Sequence, residues 1–104
     1  QINIGKDENK HGFSPAEALA VCSKIKEYKN IFLKGVMTIL PQGKPKAENK
    51  KLFIKTRKLQ EEIQRKYVSL CTDTSMGMSG DYTEAIKAGA THIRIGSALF
   101  GKRQ

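Results

Sequence analysis

Two short segments rich in glycine and serine constrain this chain most: Thr74-Ser75-Met76-Gly77-Met78-Ser79-Gly80-Asp81 and Arg94-Ile95-Gly96-Ser97-Ala98-Leu99-Phe100-Gly101. Each reads as a short strand running through small residues into the start of a helix. A helix over residues 80–89 lies between them, long enough to link neighbouring parallel strands. Two such joints side by side present backbone N–H groups to a single anion, a phosphate above all.

The rest of the chain repeats the same alternation. Residues 1–4 read as a strand, 6–12 as a polar loop, and Ser14 as the cap of a helix. Pro15 stands at that helix's first position, with Glu17 three residues after the cap, the pattern of a capping box. Ala18, Leu19, Cys22 and Ile25 give it one apolar face. Residues 31–40 form an apolar, β-branched run, broken by Lys34 and Gly35, that predicts a buried parallel strand. Residues 41–46 hold two prolines and a glycine and predict a mobile loop. Leu52, Phe53, Leu59, Ile63 and Tyr67 then define a long amphipathic helix. Residues 70–75 predict a third strand, 80–89 a helix ended by Gly89 with Tyr82, Ala85 and Ile86 inward, 91–95 a fourth strand, and 98–101 one short helical turn.

Four β-α units in succession predict an α/β fold with a parallel sheet and helices outside it. Only one sheet face receives helices, so the other face and both edges need cover. This is the form of half a (β/α)8 TIM-type barrel. The 104 residues suit one unit. The first residue is Gln1, and Ile2 and Ile4 already alternate, which reads as a longer protein entered in mid-strand.

Composition narrows the function classes. Hydrophobic residues make up 38% and charged residues 28%, a soluble globular balance, and no apolar run approaches a membrane span. No basic region followed by an apolar stretch marks a signal peptide. The net charge of +9 is scattered, with no tryptophan and no aromatic-basic interleaving, so it reads as a solvated surface with a general attraction for anions and not as a specific nucleic-acid site. Cys22 and Cys71 have no metal-ligand spacing and read as reduced thiols of a cytoplasmic protein.

Individual residues carry two readings each. Arg94 shares its strand side with His92 and Gly96, and a charge within a buried strand needs a partner. That partner is either a carboxylate on another strand or a ligand at the strand's carboxyl end; the adjoining Gly96 and Ser97 favour the ligand. Ser79 reads as the N-cap of the 80–89 helix, with Asp81 in its first turn, and also as a hydroxyl added to the phosphate-binding cluster. Gly96 and Ser97 offer the same choice between a tight turn and a phosphate cradle. Met76 and Met78 read as core filling or as a platform for a flat ring. His11 reads as a loop residue, and Lys10 as a phosphate or surface contact or, the preferred reading, a solvated lysine. Neither histidine belongs to a nucleophilic constellation, and Asp7 and Glu8 form no acid/base pair.

The run Gln1-Ile2-Asn3-Ile4, then Lys10-x-Gly12-Phe13, Gly35-Val36-Met37-Thr38-Ile39, Ser75-Met76-Gly77-Met78-Ser79-Gly80-Asp81, Gly89-Ala90-Thr91 and Arg94-Ile95-Gly96-Ser97-Ala98-Leu99-Phe100-Gly101 resembles the pyridoxal phosphate homeostasis protein family, in order and over the whole length. The resemblance implies a barrel related to the N-terminal domain of alanine racemase, of which residues 1–104 match the C-terminal half, strands five to eight. It implies pyridoxal 5'-phosphate as ligand, held or delivered by a carrier and not turned over by an enzyme. By the same resemblance Ser79, Gly96 and Ser97 match phosphate-binding positions, Arg94 matches an arginine near the pyridine nitrogen, and Met78 lies beside the cofactor. The family's Schiff-base lysine belongs to the first strand, so no lysine of this chain is assigned that role. The implied partners are the cofactor or a phosphate or sulfate ion, and either the missing N-terminal half or a second copy of the chain in a homo-oligomer. Two other functions compete with this one: a phosphate-binding barrel enzyme of the racemase or isomerase type, which needs an acid and a base across the site, and a basic module binding nucleic acid in a salt-dependent way.

Overall fold

In the computed structural model, residues 1–8 and 10–101 are described. Ser14 opens α1, Pro15–Cys22, with a reciprocal cap: the Glu17 N–H donates to Ser14 Oγ at 3.2 Å, and the Ser14 N–H donates to Glu17 Oε1 at 3.0 Å. A single 3₁₀ turn over Ile25–Glu27 follows. Strand β1, Gly35–Thr38, leads into α2, Lys46–Lys66, and strand β2, Asp73–Met76, leads into α3, Tyr82–Lys87, and α4, Ser97–Phe100.

The two strands pair in parallel, Gly35 opposite Asp73 and Thr38 opposite Met76. Residues 1–4 and 91–95, read from the sequence as full strands, are flanking segments that each form an isolated bridge. The Ile2 N–H donates to the Met37 carbonyl at 2.7 Å and Thr38 Oγ1 donates to the Ile2 carbonyl at 2.8 Å, but among the described residues no bond from the Ile4 N–H continues the ladder, and the one bridge of this segment is between Ile2 and Phe13. At the other flank the Thr91 hydroxyl takes the Thr74 N–H at 2.7 Å, and His92 alone bridges to Ser75. A side chain thus replaces a ladder bond there. The parallel α/β architecture stands, with two complete strands in place of four.

Burial alternates strictly. Val36, Thr38, Thr74 and Met76 are buried, whereas Gly35, Met37, Asp73 and Ser75 lie half-open on the other face. The buried face meets Phe53, Leu59 and Ile63 of α2, Ala18 and Cys22 of α1, and Ala85 of α3, and these form one core with Ile2, Ile4, Leu40 and Cys71. The helices therefore cover one side of the sheet only.

Helix α2 starts six residues before the first residue of its apolar stripe, directly after Pro45. The expected 41–46 loop shortens accordingly, because proline lacks the N–H that a helix entry leaves unpaired. Helix α3 is two residues shorter at each end than expected, and Gly89 follows it at φ +98°, the left-handed residue that ends a helix. Ile86, expected inward, is 54% exposed, because this two-turn helix buries only Ala85.

Candidate functional site

The β2–α3 joint turns on Gly77. Its φ is +106°, and a Cβ there would stand 2.7 Å from Ala85 Cβ, so only glycine brings the strand this close to α3. The turn separates two methionines that flank it in sequence. Met76 is fully buried in the core, and Met78 is 40% exposed and faces an open cavity. The core reading holds for the first, and the second lies on the open side of the turn.

Asp81, and not Ser79, caps this joint. Its Oδ1 accepts the Met78 N–H at 2.8 Å, while the Asp81 and Tyr82 N–H groups both return to the Met78 carbonyl. The expectation of Ser79 as N-cap is corrected. With Asp81 closing the turn, the Ser79 hydroxyl is released to the second joint, where Ser79 Oγ accepts the Ala98 N–H at 3.0 Å. A hydroxyl oxygen thus sits on the first turn of α4, at a donor that a phosphate oxygen would also satisfy.

The two joints enclose a cavity of about 510 Å³ lined by Met78, Ser79, Gly80, Gly96 and Ser97, with Gln42, Phe100 and Gly101. Among the described hydrogen bonds none uses the backbone N–H of Ser79, Gly80, Gly96 or Ser97. A Cβ added at Gly80 or Gly96 would meet nothing within 4 Å, so both glycines face open space. Four free N–H donors and two serine hydroxyls on one concave surface form an acceptor-seeking site that fits a phosphate group.

Arg94 lies beside this cavity and not in its wall. Its Nη2 reaches from the 91–95 segment across β2, donating to the Thr38 carbonyl at 2.9 Å and to the Ser75 carbonyl at 3.4 Å. The carboxylate partner considered from sequence is replaced by carbonyls of both strands. Among the described residues its buried Nε has no hydrogen-bond partner, so one donor of a permanently charged group is left unused there.

Of the five residues singled out in the sequence, the structure brings Met78, Ser79, Gly96 and Ser97 to one cavity and sets Arg94 next to it. Sequence reasoning missed Gln42, which the loop after β1 delivers to the same wall, and Phe100, which is 83% exposed. The available signal for Gln42 was its place just past the carboxyl end of a buried strand, where parallel sheets put their ligands.

Comparison with known proteins establishes the family. Residues 1–104 match the family model described as alanine racemase, N-terminal domain. The chain belongs to that family. Its relatives include the pyridoxal phosphate homeostasis proteins of Synechocystis sp., 42% identical over 103 residues, and of Aquifex aeolicus, 38% identical over 104 residues. These alignments take in 99% and 100% of this chain and 47% and 46% of the relatives. Two solved structures of PipY from Synechococcus elongatus are also similar. The one without pyridoxal phosphate has a TM-score of 0.90 at 36% identity, covering 97% of this chain and 47% of that one. The one with pyridoxal phosphate bound has a TM-score of 0.78 at 34% identity, covering 92% and 46%.

The chain thus spans about half the length of the relatives it matches. The assignment of residues 1–104 to a C-terminal half is corrected: the alanine racemase family model that they match along their whole length is that of an N-terminal domain.

Proposed function

We propose that this chain binds pyridoxal 5'-phosphate through the cavity between the two joints and serves cofactor homeostasis as a carrier, not as a catalyst, in the cytoplasm. The observation that carries the reading is the convergence of four unbonded backbone N–H groups with the hydroxyls of Ser79 and Ser97 on one 510 Å³ cavity. The names of the relatives and the cofactor-bound PipY structure support the same ligand. In this reading the phosphate displaces the Ser79 oxygen from the Ala98 N–H, Gly96 leaves room for its oxygens, and Met78 packs against the ring.

Arg94 supports the carrier role by its chemistry. Pyridoxal phosphate supplies an electron sink when its ring nitrogen is protonated. A guanidinium has donors only and never gives up its proton, so facing that nitrogen it leaves the nitrogen unprotonated and the sink weak. The two strands with their flanking segments are, in the same reading, part of a (β/α)8 barrel whose ligands gather at the carboxyl ends of the strands.

The test is a titration of the chain with pyridoxal 5'-phosphate, pyridoxal and inorganic phosphate, followed by ligand fluorescence. The phosphorylated vitamer is expected to bind well over tenfold tighter than pyridoxal, and inorganic phosphate to compete with it. Ser79→Ala is expected to weaken binding about fivefold, the loss of one hydrogen bond to a charged group. Equal affinity for pyridoxal and its phosphate ester would sink the reading.

A further inference from the structure

The cavity between the two joints lies past the carboxyl ends of the strands. At their entry ends lies a separate groove of about 220 Å³, lined by residues 25–33 before β1 and 68–70 before β2. Leu33 and Val68 are half-buried and pack on the core, so the floor of the groove is fixed. Tyr28, Ile31, Phe32 and Leu70 stand exposed on it, Phe32 at 76%. Exposed apolar side chains scattered singly are ordinary, but four on one groove mark an interaction surface. At roughly 30 Å³ per water the groove has the room of about seven waters, enough for a bulky side chain to enter.

A second depression of about 310 Å³ adjoins the first, sharing Lys26, Val68 and Leu70 and adding Arg65 and Lys66. Lys29 completes the basic rim, and no acidic residue lines either depression. Among the described residues Lys26, Lys29 and Arg65 form no ion pair. The acids of the last turns of α2 are engaged within the helix, Glu61 with Arg57 at 3.9 Å and Glu62 with Lys66 at 2.9 Å. Glu27, in the 3₁₀ turn, lines neither depression. Three uncompensated cations thus frame an apolar floor.

The occupant that complements this surface is apolar along the groove and negatively charged at its rim. A second copy of the chain would bring its own charge of +9 against these cations, and a flat bilayer does not follow a concave floor. We propose that the groove docks a short segment of another protein that carries aspartate or glutamate beside bulky apolar residues. Its apolar side chains pack against Tyr28, Phe32 and Leu70, and its carboxylates meet Lys26, Lys29 and Arg65. The cavity at the other ends of the same strands shares no lining residue with the groove and stays open while the segment is bound.

Selection of phage-displayed random peptides on the immobilised chain tests this, followed by anisotropy titration of the enriched peptides in labelled form. The enriched sequences are expected to carry aspartate or glutamate beside leucine, phenylalanine or tryptophan, and to bind more weakly as salt rises. Phe32→Ser is expected to weaken binding about tenfold through the lost aromatic contact, with the melting temperature unchanged because Phe32 is so little buried in the free chain. Lys26→Glu combined with Lys29→Glu is expected to weaken it about tenfold as well. Ile86→Ser, at an exposed position of α3 outside the groove, is expected to change nothing. No enrichment, enriched peptides of another composition, or equal binding to the Phe32→Ser and charge-reversed chains overturns the inference. So does co-sedimentation with phosphatidylserine vesicles that Phe32→Ser abolishes, which assigns the patch to a membrane surface instead.

Discussion

Cys71 shows what burial does to a single group. It is fully buried, and removal from water pushes its thiol up to about 11, with Cys22 and Asp73 adding to the rise. Burial also raises Cys22. Both groups favour the protonated form in the folded chain more than in the unfolded one. The stability they contribute is therefore complete below the ordinary thiol value of about 8.5, and is lost as pH rises toward the folded value near 11. The melting temperature of the wild type is expected to fall more steeply across that window than that of Cys71→Ala, which starts lower because of the cavity it leaves. Parallel slopes in differential scanning calorimetry would show that the thiol does not titrate as its burial demands. At the same scale, Arg94 shows the limit of sequence reasoning. Its alternation within 91–95 set it apart correctly, but its partners are the carbonyls of Thr38 and Ser75. Backbone acceptors are present at every residue and leave no mark in a sequence.

At the scale of elements, β1 and β2 pair so closely at their entry that side-chain volume decides the register. A Cβ on Gly35 would run into the Asp73 carbonyl and stand 2.7 Å from Asp73 Cβ. No flexible side-chain end is there to move aside. Gly35→Ala is expected to cost stability at the upper end of ~1–3 kcal/mol, read as a lower urea midpoint, whereas Gly43→Ala, with nothing within 4 Å of its Cβ, serves as a milder control strained only by its backbone angle. An unchanged midpoint for Gly35→Ala would mean that the pairing at Gly35 and Asp73 yields without cost. The elements that were legible owe it to chemistry that is local. The capping box at Ser14 and Glu17, the Leu59 and Ile63 stripe of α2 and the Gly89 stop are all short-range patterns. The first turn of α2 carries Lys46 and Glu48 and no apolar face, so periodicity could not reach it. The buried Thr56 and Gln60 were equally invisible. Gln60 Nε2 donates to the Cys71 carbonyl at 2.6 Å, a pairing between elements eleven residues apart that no helical period encodes.

The candidate site was legible for the same reason as the helices: each joint is one continuous segment, and every residue lining the cavity except Gln42 comes from those two segments. What the sequence could not supply is how the two joints meet. The meeting depends on Asp81 taking the Met78 N–H, which sends Ser79 to Ala98, nineteen residues away. At the scale of the whole molecule the same one-sided construction leaves a consequence outside the site. Helices cover only the Val36–Thr38 and Thr74–Met76 face, and Met37 and Ser75 stay half-open on the other. Beyond the two flanking segments no further strand pairs among the described residues. Phe13, Leu99 and Phe100 are 43%, 71% and 83% exposed. Open edges and apolar side chains of this kind favour association, and a two-fold pairing of identical chains would cover the same surface on both. The charge of +9 opposes it. Because like charges repel less when screened, the dimer is expected to strengthen as salt rises from about 0.1 M, where the Debye length is ~10 Å, to about 1 M, where it is ~3 Å. An interface held by opposite charges would do the reverse. Sedimentation equilibrium at the two ionic strengths separates the cases: a monomer at both, with a melting temperature independent of concentration, would mean that the open face is stable in water by itself.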